Sequence, residues 1–171
     1  LHTYMAERGE NGGVNLTEYM DSLGMERGRD YGVCDQYNYI MSFPESYMAA
    51  AYSSMDVHML VSMGEGFGIP TLEAQACGTP VVVGDWTAMS ELCFAGWKVD
   101  KQDAQPVWTP LAAYQYTPRA EAIADKLDEA YKTAGRMRKD AREGAMQYDA
   151  DKVTKEYWQP VLAEIEKQVT K

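Results

Sequence analysis

The chain has 171 residues, 46% hydrophobic and 25% charged, the size and balance of one globular domain, which excludes disordered and fibrous classes. Lys and Arg number 16 against 26 Asp and Glu, a net charge of −10. So acidic a surface repels phosphate backbones and anionic lipid heads, so binding to nucleic acid or to a membrane surface is not expected. No apolar run approaches the roughly 20 residues of a membrane helix, and LHTYMAERGE lacks a signal peptide's apolar core. The sequence opens on Leu1 rather than Met and is read as a piece of something longer. Cys34, Cys77 and Cys93 form no C-x-x-C pair, and His2 and His58 are the only histidines. Free thiols in a reducing cytoplasm, with no metal site, are the expectation.

In chain order, Leu1 to Met5 reads as a strand before a break at Gly9, Gly12 and Gly13. Asn15 to Leu23 reads as a short helix stopped by Gly24. Gln36 to Met41 alternates as a strand. Ser42-Phe-Pro-Glu45 has the spacing of a capped helix start with Pro in the first turn, the helix continuing through Tyr47, Ala51 and Tyr52. Val57 to Val61 and Pro80 to Val83 are nearly continuous apolar runs, the pattern of parallel strands covered on both faces. Ile69 to Cys77 between them reads as a helix, completing a right-handed βαβ unit. Trp97 to Val99, then Val107 to Tyr116, read as strand or loop. Ala120, Ile123, Ala124, Leu127, Tyr131 and Ala134 then make one amphipathic stripe. Val153, Tyr157, Val161 and Ile165, with Trp158, Leu162 and Val169 beside them, make a second, and both are expected to pack on the flank of the sheet. The fold class is α/β, a Rossmann-like open parallel sheet with helices on both faces and a helical C-terminus.

The chemistry is concentrated in Ser62-Met-Gly-Glu-Gly-Phe-Gly-Ile-Pro-Thr-Leu-Glu73, where a parallel strand gives way to its helix, the edge at which open α/β sheets bind ligands. Gly64, Gly66 and Gly68 allow close backbone approach, and Pro70 suits a first helical turn. The Thr71 and Leu72 N–H groups fall among the open donors of that turn, where the helix dipole favours a phosphate. Glu65 and Glu73, eight positions apart, flank the turn as candidate acceptors for the vicinal hydroxyls of a ribose or hexose. Thr71 stands where a dinucleotide fingerprint needs a third Gly, and no G-K-[ST] occurs, so a P-loop is excluded.

The stretch from Ser62 to Val83, with E-G-F-G-I-P-T-L-E-A-Q-A-C-G-T-P-V-V at its centre, resembles the Glu-x7-Glu segment of retaining GT-B glycosyltransferases, group 1 or family 4. Gln75 replaces a usual Met. Tyr52-Ser-Ser-Met-Asp56-Val is similar to the family's Y-x-x-A-D-V, and Glu91 with Gly96 resembles its downstream Glu and Gly. The resemblance implies that residues 1–171 form the single C-terminal domain that binds a nucleoside-diphosphate sugar, with the N-terminal acceptor domain outside this chain. It implies a hexosyltransferase that needs no metal or other cofactor, acts on a sugar, glycolipid or protein-glycan acceptor, and works in the cytoplasm or at the inner membrane face. Glu73 would hold the ribose hydroxyls, and Glu65, the catalytic position, the hydroxyls of the transferred sugar. The backbone of Gly66, Phe67, Gly68 and Ile69 would line the sugar and β-phosphate, with Thr71 and Leu72 near the diphosphate. Base contacts would come from backbone near Ile40 to Phe43.

Two departures qualify this resemblance. The family's Arg/Lys phosphate clamp has no counterpart in this sequence, so the chain alone is expected to bind donor weakly and transfer nothing. Asp85-Trp86 stands where the family often has Gly-Gly. Two alternatives share the fold or the site: a hydrolysing sugar-nucleotide epimerase, and a stand-alone or degenerate nucleotide-sugar-binding module. Among the remaining residues, His58 is read as a satisfied core histidine, and Phe67 either faces the sugar or covers the loop. Trp86, Trp97 and Trp108 are read as packing residues rather than an acceptor platform. Asp149-Ala-Asp151 is read as a polar helix start rather than a metal motif.

Overall fold

The computed structural model describes residues 15–35, 37 and 41–170. The chain forms two compact units, residues 1–48 and 49–171. The strand expected over Leu1 to Met5 lies outside the described residues, as does most of that over Gln36 to Met41. Tyr37 and Met41, which are described, are helical.

In the first unit α1 (Leu16–Ser22) starts where Asn15 caps it, its side chain accepting from the Thr17 and Glu18 amides. It ends at Gly24, φ 75°, where Met25 N–H bonds back to Met20 O, the left-handed stop that only Gly adopts freely. Tyr31 is buried and donates its hydroxyl to Asp21 at 3.1 Å.

The next helix, α2 (Glu45–Ser54), crosses the boundary between the units. Ser42 does not cap it: its φ is 72°, and the helix begins directly after Pro44.

The second unit holds a parallel sheet in the order β1 (His58–Leu60), β2 (Val81–Gly84), β3 (Gly96–Val99). His58 aligns with Val81, and Val81 with Gly96. Val81, Val82 and Val83 are all fully buried. Since successive side chains point to opposite faces, the central strand is covered on both sides. Met59 on the flanking strand is half exposed. Helix α3 (Ile69–Ala76) links β1 to β2, and α4 (Thr87–Glu91) links β2 to β3. This is the expected parallel α/β arrangement.

Of three further features, the first settles the open strand-or-loop reading and the other two depart from the sequence reading. The segment after β3 is an antiparallel hairpin, β4 (Ala104–Trp108) with β5 (Tyr114–Pro118), in which Trp108 faces Tyr114. In α5 (Ala120–Thr133) the buried position is Ala130, 1% exposed, while Tyr131 is 93% exposed. The surface under α5 therefore takes a methyl group and turns the phenol ring outward. The third is the C-terminal stripe. After α6 (Arg138–Ala145), it starts at the end of α7 (Ala150–Val153) and runs through a π-helical stretch, Thr154–Trp158, into α8 (Gln159–Val169). Pro160 sits in the first turn of α8 and lacks an N–H to continue the ladder, which accounts for the wider turn before it. Tyr157, Trp158, Val161, Leu162 and Ile165 are each half exposed or more, and Val169 more so, so this stripe does not pack on the sheet.

Helix α6 packs on α3. Ala141 and Ala145 are buried, and a Cβ on Gly144 would lie 2.3 Å from Phe94 Cβ. Arg142 donates to Ala76 O (2.6 Å) at the negative end of α3, and Arg138 to Met55 O (2.7 Å) just beyond α2. Asp149 caps α7 through Lys152 N–H, the helix-start role expected of it. No described helix is long and apolar enough to cross a membrane.

Candidate functional site

The site forms where β1 runs out and α3 begins. Gly68 takes φ 89° as the N-cap of α3, a conformation that costs any residue with a Cβ. Thr71 N–H donates to Gly68 O at 3.0 Å. This corrects the expectation that the Thr71 amide is open to a ligand: it is spent on tightening the first turn. The unpartnered polar atom of Thr71 is its buried hydroxyl. Thr71 is fully buried, its Oγ1 has no partner among the described residues, and it lies 3.8 Å from where a Cβ on Gly68 would be. Leu72 is half-buried on the same turn, and its N–H, also expected to be open, falls at the position that makes the first i→i−4 bond of α3, to the Gly68 N-cap. Pro70 occupies the start of the helix as expected.

Glu65 is half-buried and fixed at two points. Ser62 Oγ donates to its Oε1 at 2.6 Å, and its own N–H donates to Thr87 Oγ1 at 3.1 Å. Thr87 holds φ 52°, an unfavourable conformation for a β-branched residue and a form of strain that collects at functional sites. Trp86, 3% exposed, donates Nε1–H to Ser62 O at 2.9 Å. Its indole fills the space beside Gly84, where a Cβ would lie 2.4 Å from the ring. That is what Asp85-Trp86 does where a Gly-Gly pair was the comparison: the tryptophan braces the loop from beneath. Asp85 pairs outward with Ser90 Oγ and with Lys98 at 3.6 Å.

The hairpin reaches this loop from the other side. Tyr116 N–H donates to Met63 O at 2.9 Å, the Gln115 side chain covers Gly64, and the Tyr116 ring lies against Trp86 with Lys101 Nζ above it.

Glu73 is exposed on α3 and accepts the Tyr52 hydroxyl on Oε2 at 3.1 Å. Burial, then the charge of Glu73, push the Tyr52 phenol up to about 12, so it remains a donor across the physiological range. The His58 ring meets Tyr52 edge-on at 5.5 Å. Its Nε2 is buried without a partner among the described residues, and burial pushes its pKa down. The histidine was expected to be a satisfied core residue; it packs against Tyr52 but leaves this nitrogen unpartnered among the described residues.

Gly66, Phe67 and Ile69 form the exposed rim of the turn. Phe67 touches Tyr148 edge-on at 5.9 Å and is 45% exposed. Trp97 is buried, as is Trp86, and both are packing residues as read. Trp108 is 61% exposed. The structure thus gathers the sequence-predicted positions 65–73 into one strand–helix turn. It adds Ser62, Tyr52, Trp86 and Thr87, of which only Ser62, three residues before Glu65, carried a local signal. A cleft of about 620 Å³ between Asp56, Val57, Leu127 and Ala130 opens at the start of β1, the opposite end of that strand from these carboxylates. Among the described residues no group of three or more His, Cys, Asp or Glu side chains is placed to hold a metal ion.

A parallel α/β sheet with a glycine-rich strand–helix turn flanked by two carboxylates defines a domain of the Rossmann-like class. Residues 26–132 match the family described as Glycosyl transferases group 1, and the chain belongs to that family. It is 37% identical over 54 residues to D-inositol 3-phosphate glycosyltransferase 2 of Catenulispora acidiphila, a match covering 32% of this chain and 13% of that protein. It is 42% identical over 57 residues to D-inositol 3-phosphate glycosyltransferase of Kribbella flavida, covering 33% and 13%. It is 32% identical over 84 residues to O-antigen chain mannosyltransferase B of Escherichia coli, covering 48% and 21%. The matched stretches are therefore between an eighth and about a fifth of those relatives' own lengths.

Proposed function

We propose that this chain is the domain that binds the nucleoside-diphosphate sugar in a retaining, metal-independent hexosyltransferase. The acceptor is a sugar, a lipid-linked saccharide or a protein glycan, held by an N-terminal domain that is not part of the chain. The enzyme works in the cytoplasm or at the inner membrane face. The observation that carries this reading is the pair of carboxylates at the two ends of the glycine-rich turn, each already engaged by a hydroxyl, Ser62 on Glu65 and Tyr52 on Glu73.

In this reading the start of α3 faces the diphosphate, with Thr71 and Leu72 near it and the helix dipole favouring its charge. Glu73 accepts from the ribose hydroxyls and Glu65 from those of the transferred hexose, while Gly66 to Ile69 line the sugar. The bond from the anomeric carbon to the diphosphate oxygen breaks as the acceptor oxygen bonds on the same face. The acceptor's proton passes to the departing phosphate. No protein nucleophile is required, and the residues named serve binding and charge placement.

The test is an NMR titration of the chain with UDP, GDP and ADP and their hexose conjugates to millimolar concentration. Shifts clustered at residues 64–73 and lost in Glu73→Ala are expected, and they would name the base. Shifts elsewhere, or none both for this chain and for one extended upstream, would overturn the reading.

A further inference from the structure

Glu73 lies on the solvent side of α3, where a carboxylate normally samples several rotamers and loses that freedom when it binds a ligand. Here it does not stand alone. Tyr52 comes from α2, 21 positions earlier in the chain, and is itself 6% exposed. Its backbone is tied down: Thr79, fully buried at the entry to β2, donates Oγ1–H to Tyr52 O at 2.6 Å. His58 on β1 flanks the ring. A tyrosine has only two side-chain torsions, and with its carbonyl pinned and its ring flanked this one is a fixed post.

We propose that Tyr52 is the positioning residue for Glu73. Its hydroxyl holds Oε2, sets the rotation of the carboxylate and leaves Oε1 turned away from Tyr52, toward the vicinal hydroxyls of a nucleotide's ribose. The inference rests on the donor-site reading above and adds to it a residue that touches neither sugar nor phosphate. The hydroxyl at position 52 thereby contributes to the preference for ribose over deoxyribose, acting only through Glu73.

The experiment compares the full chain with Tyr52→Phe, Glu73→Ala and the double variant. Each binds the nucleoside diphosphate that the titration identifies and its 2′,3′-dideoxy analogue, with dissociation constants read by calorimetry or NMR. Wild type favours the ribose form, and Glu73→Ala abolishes that preference. Tyr52→Phe weakens the ribose form about three- to tenfold, leaves the dideoxy form unchanged, and adds nothing on top of Glu73→Ala. Equal weakening of both ligands, or no change in either, overturns the positioning role. A ribose preference that survives Glu73→Ala, or no nucleotide binding by either the wild-type chain or one extended upstream, overturns instead the donor-site reading beneath it. A readout without ligand accompanies these. In protein labelled with carbon-13 at the tyrosine ring, Glu73→Gln lowers the Tyr52 titration from about 12, and an unchanged titration shows that the contact is absent in solution.

Discussion

The side-chain oxygen of Gln75 accepts the backbone N–H of Ala95 at 3.0 Å, and with it that of Phe94 at 2.9 Å. The amide nitrogen of the same side chain donates to Thr71 O at 3.0 Å and Leu92 O at 2.6 Å. All four hydrogen-bonding positions of a fully buried amide are thus filled, joining α3 to the turn that leads into β3. The residue that departs from the family's usual Met is a clasp.

Replacing it with that Met is therefore expected to destabilise. Gln75→Met keeps the volume but strands two N–H groups and a carbonyl out of water, at roughly 3 kcal/mol or more in total. For a chain this long that is a fall of about 6–12 °C in Tm, read by thermal unfolding. An unchanged Tm would show that the turn finds other partners.

Gly96 permits no side chain. Its φ is 153°, and a Cβ there would lie 1.9 Å from Val81 O, inside the central strand pairing. Gly96→Ala must push β3 off β2, and is expected to leave no cooperative unfolding transition. Circular dichroism on heating checks this.

His58 makes stability depend on pH. Burial lowers its folded-state pKa below the usual value near 6.5, so the unfolded chain takes up the proton first as pH falls. Its contribution is fully present above pH 6.5 and is lost from there down to the depressed folded value. The groups around it do not reverse this, since the Tyr52 ring that flanks it stays neutral. Tm should fall between pH 7 and pH 5, and His58→Phe should flatten that slope. An equal slope in the variant would assign it to the carboxylates instead.

Thr87 sets backbone ease against the loop. Thr87→Gly relieves the positive φ and removes the acceptor for Glu65 N–H. Tm should hold or rise, while nucleotide-sugar affinity falls about fivefold, near 1 kcal/mol. A lower Tm with unchanged affinity would mean that the hydroxyl matters for folding alone.

The parts of this structure legible in the sequence are those with local causes. Apolar runs marked β1 and β2, and Gly68 with Pro70 marked the start of α3. Asn15 and Gly24 bounded α1. The hairpin was harder to read because Pro106 and Pro118 sit within its two strands, and its remaining residues mix polar with aromatic side chains. In α5 the four-residue spacing from Leu127 picks Tyr131, yet the surface beneath fits Ala130, and only packing decides between neighbours. The C-terminal stripe was correctly seen as apolar, but periodicity cannot say what, if anything, covers it. The site followed the same division. Glu65 and Glu73 were visible at their spacing, whereas Tyr52, Thr87 and the four bonds of Gln75 depend on chain segments that meet only after folding.

The hairpin and the glycine-rich loop are stitched together by main-chain atoms, Tyr116 N–H to Met63 O. Such a stitch is blind to side-chain identity, so the outer end of the hairpin, with Trp108, Leu111 and Tyr114 exposed, is free to drift in sequence while the loop keeps its shape. Descendants of this protein can vary what they present beside the turn without rebuilding the turn.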